Sequence, residues 1–302
     1  MRLFEDPKIS FISNRKIGYA ISGALVLISI AAIVFKGLQF GIDFRGGAEI
    51  VVAFEGDAPA VGEMRDLLSE PLGRVPEVKT FGADIMVRTD SELDINEIQR
   101  IVLSETEAAF PESNTQIIKA DLVGPRFAED LRNAALQSIL FALGVIFVYI
   151  LIRFKKWYYS AGAVAALAHD VIITLGLFTL LYDIVPFSLD IDQAIIAAFL
   201  TIVGYSLNDT VVVYDRIREN SLIFKTEDYD KTINRSINNT LSRTVVTSVT
   251  TLLAVTILFI FGGDVLKGLS LALIIGIILG TYSSIFVASS LLVDLQARKA
   301  TS

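Results

Sequence analysis

The sequence predicts a multi-span α-helical membrane protein with six transmembrane helices and one α+β, ferredoxin-like extracytoplasmic domain. Three observations lead to this fold class: the composition, six long apolar stretches and one acidic segment between the first two of them. Of the 302 residues, 53% are hydrophobic and only 20% are charged, and the mean hydropathy is +0.60. Soluble domains are closer to ~45–50% apolar and ~25% charged, so this chain carries more apolar surface than one globular core can bury.

Six apolar windows have about the ~20-residue length that crosses a bilayer. They lie at residues 17–35, 134–152, 159–181, 194–214, 244–261 and 269–291. Each window is too long for a typical core helix, which favours six membrane spans. The first apolar run is longer than the ~7–15 residues of a signal-peptide core, and no A-x-A-like cleavage site follows it before Gly41. We therefore expect it to remain as a membrane anchor.

The distribution of Lys and Arg predicts the orientation of the chain. Of the 16 such residues outside segment 36–133, 15 fall on one side of the membrane. Because basic loops stay in the cytoplasm, both termini are expected there and segment 36–133 is expected to be extracytoplasmic. That segment holds 19 acidic and 10 basic residues, a net charge of −9, which argues against binding to nucleic acid.

These features divide the chain into five regions. They are a cytoplasmic tail at 1–16 that includes Arg2, a first span at 17–35, an extracytoplasmic domain at 36–133, five further spans within 134–292 and a cytoplasmic tail at 293–302. Segment 215–240 mixes charged residues with Ile and Leu residues. We expect it to form an amphipathic helix pair on the cytoplasmic membrane surface.

The hydrophobic periodicity within 36–133 predicts the element order β-α-β-β-α-β. The expected elements are a strand at 48–55, a helix at 58–72, a hairpin at 78–89, a helix at 93–110 and a strand at 114–123. Asp94 stands where it can cap the second helix. This order matches the ferredoxin-like split βαβ arrangement, which names no function by itself.

The composition excludes several kinds of site. The chain has no cysteine and a single histidine, His169, which excludes a disulfide framework and argues against a zinc site or a histidine-based triad. No phosphate-binding loop, nucleophile elbow or metal-ligand spacing is present. We therefore expect no enzymatic activity, no cofactor and no metal. Ion flow is the candidate energy source, since a proton crossing 100 mV releases ~2.3 kcal/mol.

The fourth span carries a polar stripe on one helical face. Its members, spaced i, i+3, i+4, i+7 and i+8, are Thr201, Gly204, Tyr205, Asn208 and Asp209. Asp209 lies about 9 Å inside the cytoplasmic edge near Asp215, and a charge at such depth costs ~2.5–3.5 kcal/mol. The stripe is therefore expected to face protein or a water-filled cavity. We predict that Asp209 carries a proton, with Asn208 and Tyr205 beside it.

The fifth span begins with a second polar stripe that starts at Arg243. Antiparallel packing would bring Arg243 to the depth of Asp209, where a movable guanidinium could help the carboxyl group release its proton. Two other interpretations stay open. The two residues could form a purely structural ion pair, or Arg243 could extend its guanidinium to the lipid headgroups.

The third span carries His169 and Asp170 near its middle. Adjacent side chains on a helix point about 100° apart, so these two need not share a face. They are weaker candidates for a proton relay, and a hydrogen-bonded packing contact is the alternative. The small residues of spans three and six are expected to allow close helix packing. They include Gly162, Ala165, Ala166, Gly176, Gly276, Gly280, Ser283 and Ser284.

Four segments resemble the SecD/SecF protein-export family. They are FGIDFRGG at 40–47 after the first span, AHD at 168–170, GYSLNDTVVVYDRIRE at 204–219 and SINNTLSRT at 236–244. In the first segment an extended chain would project Asp43 and Arg45 to one side, and Gly46 and Gly47 permit an unusual turn. The resemblance covers essentially the whole chain and points to the SecF branch, because SecD has a larger extracytoplasmic domain.

This resemblance carries expectations about assembly and mechanism. It implies membership of the resistance-nodulation-division superfamily, with SecD as the other half of a heterodimer that joins the SecYEG channel, often with YajC. It implies a bacterial or archaeal cytoplasmic membrane, and movement of the extracytoplasmic domain that draws out unfolded preprotein, coupled to the proton motive force. Asp209 and Arg243 would then serve proton passage. The signature residues at the base of the moving domain would be Gly41, Asp43, Phe44, Arg45, Gly46 and Gly47.

Two further hypotheses remain. The chain could be a proton-coupled exporter of small amphiphilic molecules or lipids, although such exporters usually combine two six-span halves with two large outer domains. It could also be a scaffold that only stabilises a partner, in which case polar substitutions within the spans would be silent unless assembly were lost.

Overall fold

A computed structural model describes residues 7–90 and 93–301, so Arg2 of the predicted basic tail lies outside the described residues. The chain divides into two compact units. The helical unit contains the residues up to Leu38, Ser138–Leu181 and those from Ala194 onward. The sheet unit contains Gln39–Gln137 and Tyr182–Gln193.

Within the described residues, six helices are long and apolar enough to cross a membrane. The first five are α1 (Arg15–Lys36, after a 3-10 turn at Ile12–Asn14), α5 (Pro125–Phe154), α6 (Trp157–Leu181), α7 (Gln193–Ile223) and α8 (Tyr229–Phe261). The sixth runs through α9 (Asp264–Ser283), a π-helical turn (Ser284–Ala288) and α10 (Ser289–Thr301). The prediction of a six-span helical protein is confirmed.

The predicted surface helix pair at 215–240 does not exist as separate elements. Helix α7 continues to Ile223, and α8 begins at Tyr229. Ile217, Ile233 and Ile237 are fully buried in the helical core, because the extended ends of α7 and α8 pack inside the unit. Three of the apolar residues that predicted a membrane-surface helix therefore serve as core residues at this end of the bundle, whereas Leu222, Ile223 and Phe224 are exposed.

Glycines allow the helices to approach closely, as the small-residue pattern predicts. A Cβ atom on Gly176 of α6 would collide with Ser29 of α1, and one on Gly276 of α9 would collide with Ile202 of α7. A Cβ on Gly280 would come within 2.8 Å of Ser206 Cβ. These contacts hold α6 against α1, and α9 against α7.

The sheet unit contains four antiparallel strands in the order β2-β3-β1-β4. Its elements in chain order are α2 (Ile42–Arg45), β1 (Gly47–Ala53), α3 (Val61–Ser69), β2 (Glu77–Phe81), β3 (Asp84–Thr89), α4 (Ile95–Ala109) and β4 (Gln116–Val123). The Asp94 side chain accepts a hydrogen bond from the Asn96 amide and caps α4, as predicted. Buried residues of α3, α4 and the strands form one apolar core. This is the ferredoxin-like arrangement, so that prediction is also confirmed.

The sheet unit has a component that the predicted boundary at 36–133 omitted. Residues 182–193, the connection between α6 and α7, pack with the sheet rather than with the helices. The amide of Gly41 donates to the carbonyl of Ile191 at 3.0 Å, and the amide of Ile191 donates to the carbonyl of Gln39 at 2.8 Å. Leu189 and Ile191 are 1% and 2% exposed, so this connection is buried rather than a loop on the surface.

Candidate functional site

Asp209 is a buried carboxyl group in the middle of α7. It lies near the end of the predicted fourth span that is expected to face the cytoplasm. The residue is 4% exposed, and its Oδ2 atom has no hydrogen-bond partner among the described residues. Ser248 of α8 contacts the carboxyl group through its hydroxyl, and Arg243 attracts it electrostatically. Ser248 also lies 2.7 Å from the Thr281 hydroxyl of α9. A buried carboxyl group with one open oxygen is suited to binding a proton.

Arg243 approaches Asp209 without pairing with it. Its guanidinium makes no hydrogen bond or ion pair with any residue that the structure describes. The side chain is exposed and lines a cavity of about 1130 Å³ together with Lys8, Arg216 and Lys231. The same cavity reaches Val246 and Thr247, one residue before Ser248. Arg243 thus acts on Asp209 electrostatically without a hydrogen bond or ion pair, and the proton role of the two residues stays a prediction.

The rest of the polar stripe on α7 lies on the surface of the helical unit. Thr201, Gly204 and Asn208 are exposed, and Tyr205 is half-buried. The Thr201 hydroxyl donates to the carbonyl of Ala197 at 2.8 Å, whereas the Asn208 amide has no partner among the described residues. The chain therefore buries the carboxyl group of this stripe and leaves most of its neighbours uncovered.

Asp170 forms a second polar centre inside the helical unit. It is fully buried, and its Oδ2 accepts hydrogen bonds from the hydroxyls of Ser206 and Ser283, each at 2.7 Å. Its Oδ1 lies 2.9 Å from His169 Nδ1, although the angular spacing of adjacent residues did not require them to meet. His169 Nε2 is buried without a partner in the described part of the chain.

The part that the two serines play was not predicted from the sequence. Ser206 was not singled out, and Ser283 was assigned to packing alone. Ser206 lies three residues before Asp209, which is about one helical turn, and Ser283 lies two residues after Thr281. The hydroxyls between the two carboxyl groups therefore belong to three packed helices. A stretch of Ser and Thr at positions facing a buried carboxylate is the signal that could have identified them.

The glycine-rich signature forms a tight turn in the sheet unit. Residues Ile42–Arg45 make one helical turn, so the prediction of an extended chain there was wrong. Gly46 and Gly47 have φ values of 81° and 114°, in the region that favours glycine. A Cβ on Gly47 would lie 2.7 Å from the carbonyl oxygen of Thr89. The turn needs glycine both for its backbone angles and for this close approach to β3.

Other side chains of the glycine-rich signature stabilise the same turn. The Asp43 carboxylate accepts a hydrogen bond from the amide of Gln193 at 3.0 Å, which satisfies a free amide at the start of α7 and places negative charge at the positive end of that helix. Phe44 is 3% exposed, and its ring meets that of Phe40 edge to face at 6.1 Å. Arg45 lies 3.8 Å from Glu77.

A buried charge network covers the sheet face opposite the helices. Arg88 of β3 is 7% exposed, and its guanidinium contacts both oxygens of Asp190 at 3.1 and 3.0 Å and Glu49 at 2.7 Å. Lys119 of β4 lies 2.7 Å from Glu49. This network was not predicted from the sequence. Strand alternation places Glu49 and Arg88 on one face, which was the available signal, but nothing in the pattern indicated Asp190 as their partner.

The electrostatic interactions within this network favour the ionised forms of Asp190, Glu77 and Arg88. Burial alone would raise the pKa of Asp190, but the charge and hydrogen bonds of Arg88 outweigh it and hold that pKa below its ordinary value. The pKa of Glu77 is lowered in the same way, against the effect of burial, by Arg88 and Lys79. Burial alone would lower the pKa of Arg88, but Asp190 and Glu49 raise it above its ordinary value. All three groups therefore remain ionised near neutral pH.

Two family models match the chain. The SecD/SecF C-terminal model of protein export membrane proteins matches residues 103–298, and the SecD/SecF GG motif model matches residues 31–58. The second match includes the turn at Gly46 and Gly47. Within the described residues, no group of three or more His, Asp or Glu side chains is arranged to hold a metal ion.

Similar proteins extend over nearly the whole chain. The protein translocase subunit SecF of Rhodothermus marinus is 57% identical over 301 residues, which is 99% of this chain and 97% of that protein. The SecF of Haemophilus influenzae is 39% identical over 97% of this chain and 88% of that protein.

Two solved structures are also similar. The crystal structure of SecDF, a translocon-associated membrane protein from Thermus thermophilus, matches 97% of this chain at 36% identity with a TM-score of 0.86. SecDF in a super-membrane-facing form matches with a TM-score of 0.73 and 35% identity, over 99% of this chain and 40% of that one. The present chain spans only 39% of the length of the first SecDF chain.

Proposed function

Because the chain belongs to the SecF family, we propose that it is a SecF subunit that acts with SecD to promote preprotein translocation and release, driven by the proton motive force. The observation that carries this proposal is the polar stripe of α7 beside the buried carboxyl group of Asp209. The chain has no expected catalytic role, so its function is movement coupled to protonation.

The exposed polar surface supports a partner within the membrane. Asn208 is exposed on a membrane helix and has no partner in the described part of the chain. Such groups cost several kcal/mol against lipid, and membrane proteins direct them towards protein or water. A second six-span subunit would cover them, and SecD is the candidate, since the similar SecDF chain is more than twice as long as this one.

The surroundings of Asp209 support a proton-dependent switch. A neutral carboxylic acid is the favoured form in a dry environment, and a nearby guanidinium favours the carboxylate. Because Arg243 makes no hydrogen bond or ion pair in the described part of the chain, its closer approach would release the proton of Asp209 and its withdrawal would restore it. Tyr205 and Asn208 lie within one turn on the same helix and would take part in passing the proton.

The proposed orientation follows the distribution of basic residues. The chain is a multi-pass membrane protein, and we assign both termini to the cytoplasm and residues 36–133 to the opposite side of the cytoplasmic membrane. The cavity beside Arg243 would then open to the cytoplasm, and its Lys and Arg lining agrees with that side. Association with SecYEG and YajC, and contact with unfolded preprotein, are proposed from the family resemblance.

The alternative of small-molecule export receives less support. An apolar cavity within the helical unit, lined by residues such as Leu143, Leu167 and Phe199, has a volume of about 170 Å³. Pockets for drug-sized ligands usually hold ~300–1,000 Å³. This cavity is too small to capture an amphiphile of that size, and the larger cavity beside Arg243 is lined mostly by charged and polar residues rather than by the apolar side chains that such ligands need.

An asparagine substitution tests the proposed function. We expect Asp209→Asn to abolish proton-dependent stimulation of preprotein export in vesicles, because the amide cannot exchange a proton, while insertion and pairing with SecD persist. Asp215→Asn on the same helix is the matched control, since Asp215 is exposed and bound to Arg153 at 2.7 Å, and it should retain stimulation. Normal stimulation with Asp209→Asn would refute the proposal.

A further inference from the structure

The connection between α6 and α7 is fastened to the sheet along its length. At its start, the Tyr182 hydroxyl lies 2.9 Å from Glu77 Oε1 and from Asp190 Oδ1, and Lys79 Nζ stands 3.3 Å above the centre of its ring. At its end, Ile191 pairs with the main chain on either side of Phe40.

Arg88 is the centre of this attachment. It binds Asp190 of the connection through two parallel hydrogen bonds and Glu49 of β1 through a third. A planar guanidinium bound in this way fixes the direction as well as the distance of its partners. The attachment therefore sets the position of Asp190 relative to two strands.

Stability alone does not account for buried charges at this place. A buried ion network pays a large desolvation cost, and apolar side chains of similar volume often stabilise a fold as well or better. What a charge network adds is a defined geometry. The neighbouring Leu189 and Ile191 already supply apolar burial, so the charges contribute orientation.

The chain connectivity indicates why a fixed orientation of the α6–α7 connection on the sheet matters. The fastened connection is covalently continuous with α6, which carries Asp170, and with α7, which carries Asp209. The Asp43 carboxylate also receives the amide of Gln193, the first residue of α7. Any displacement of these two helices must therefore pull on residues 182–193.

We propose that Arg88 is a positioning residue that fastens the α6–α7 connection to the sheet, so that displacement of the proton-binding helices is transmitted to the sheet unit. This inference rests on the proposed function and adds to it the element that carries the movement. Arg88 takes no part in proton transfer. Its role is to keep the connection bound to the sheet when the helices move.

The absence of cysteine allows a direct test. Leu189→Cys, at a position that is 1% exposed, reports whether the connection is fastened through its rate of labelling by a membrane-impermeant maleimide. In the complex with SecD in membrane vesicles, we expect Arg88→Met to accelerate labelling by about tenfold or more, because local opening becomes easier. Preprotein release should be lost, while proton uptake that depends on Asp209 should persist.

A core substitution in the same unit provides the matched control. Ile98 of α4 is fully buried on the helix side of the sheet, so Ile98→Ala weakens the unit without touching the connection. This variant should keep slow labelling of Leu189→Cys and should keep preprotein release. If Ile98→Ala loses as much release as Arg88→Met, the effect of Arg88 is general stability and the proposal is overturned.

A variant with apolar replacements separates the effect of attaching the connection to the sheet from the effect of the charges themselves. The triple variant Glu49→Leu, Arg88→Met and Asp190→Leu should restore slow labelling and release, because the connection packs on the sheet again. Slow labelling without release would overturn the proposal. If the unaltered complex shows no release that depends on Asp209, the proposed function fails instead, and the labelling rates still decide whether Arg88 fastens the connection.

Discussion

Asp209 and Asp170 occupy one helical bundle but have different surroundings. Asp170 receives two serine hydroxyls and His169, whereas one oxygen of Asp209 has no partner in the described part of the chain. A carboxylate with three partners is suited to holding α6, α7 and α9 together. The open oxygen of Asp209 is suited to binding a proton, and a relay role for His169 and Asp170 stays a prediction.

Gly47 gives a prediction at the scale of a single residue. We expect Gly47→Ala to destabilise the sheet unit by about 1–3 kcal/mol, since its φ of 114° and its approach to Thr89 are both unfavourable for a side chain. Hydrogen exchange of the strand amides measures this loss. The control is Gly62→Ala in α3, where no atom lies within 4 Å of the added Cβ, and where stability should rise by about 0.4–1 kcal/mol. Equal effects of the two substitutions would contradict the explanation.

At the scale of elements, the predicted helices and strands differ from the observed ones mainly where tertiary contacts determine which surface a segment packs against. The apolar periodicity of α4 and the Asp94 cap are local signals, and both were read correctly. Ile217 and Ile233 have the same amphipathic pattern whether the opposite surface is a membrane or another helix, so the sequence could not distinguish the two. The attachment of Asp190 to Arg88 joins residues about a hundred positions apart, and no local pattern reveals such a pair.

The connection at 182–193 gives a pH prediction at this scale. Against the effect of burial, Arg88 and Lys79 of the sheet hold the pKa of Asp190 below its ordinary value, so the fastened state gains stability above the ordinary carboxyl pKa of ~4. This gain is lost as the pH falls through the lowered pKa of Asp190. The other groups facing Asp190 are Arg88, Lys79 and Tyr182. The pKa values of Arg88 and Tyr182 are raised, so these two stay protonated throughout this acid range.

Amide hydrogen exchange, corrected for its intrinsic rate, measures this effect. Protection of the connection should be constant above pH ~5 and should fall below pH ~4. Protection of α4, which packs on the other face of the sheet, serves as the internal control and should fall less. Protection of the connection that increases on acidification would contradict the assigned direction of the pKa shifts.

At the scale of the whole molecule, the chain resembles one half of a larger membrane assembly. Its helical unit buries its own core, yet it leaves Asn208 and Arg243 exposed on helices long enough to span a bilayer. The sequence predicted the polar stripe but not which of its members the chain buries, because that depends on how α7 packs against α8 and α9.

Site-specific crosslinking tests the expectation of a covered surface. A photoreactive phenylalanine analogue placed at position 208 should form an adduct with SecD when both proteins are expressed together. The same analogue at Phe141 of α5, which is 75% exposed on an apolar surface, should react with lipid and give no SecD adduct. The reverse pattern of adducts would mean that SecD covers a different face.

The protonation of Asp209 is measured most directly by infrared difference spectroscopy of the complex with SecD during a pH change. We predict a band of a protonated carboxyl group that disappears in Asp209→Asn and persists in Asp215→Asn. In Arg243→Met the band should remain at higher pH than in the unaltered complex, because the attraction that favours the carboxylate is gone. A difference spectrum that is unchanged by Asp209→Asn would contradict proton binding at this residue.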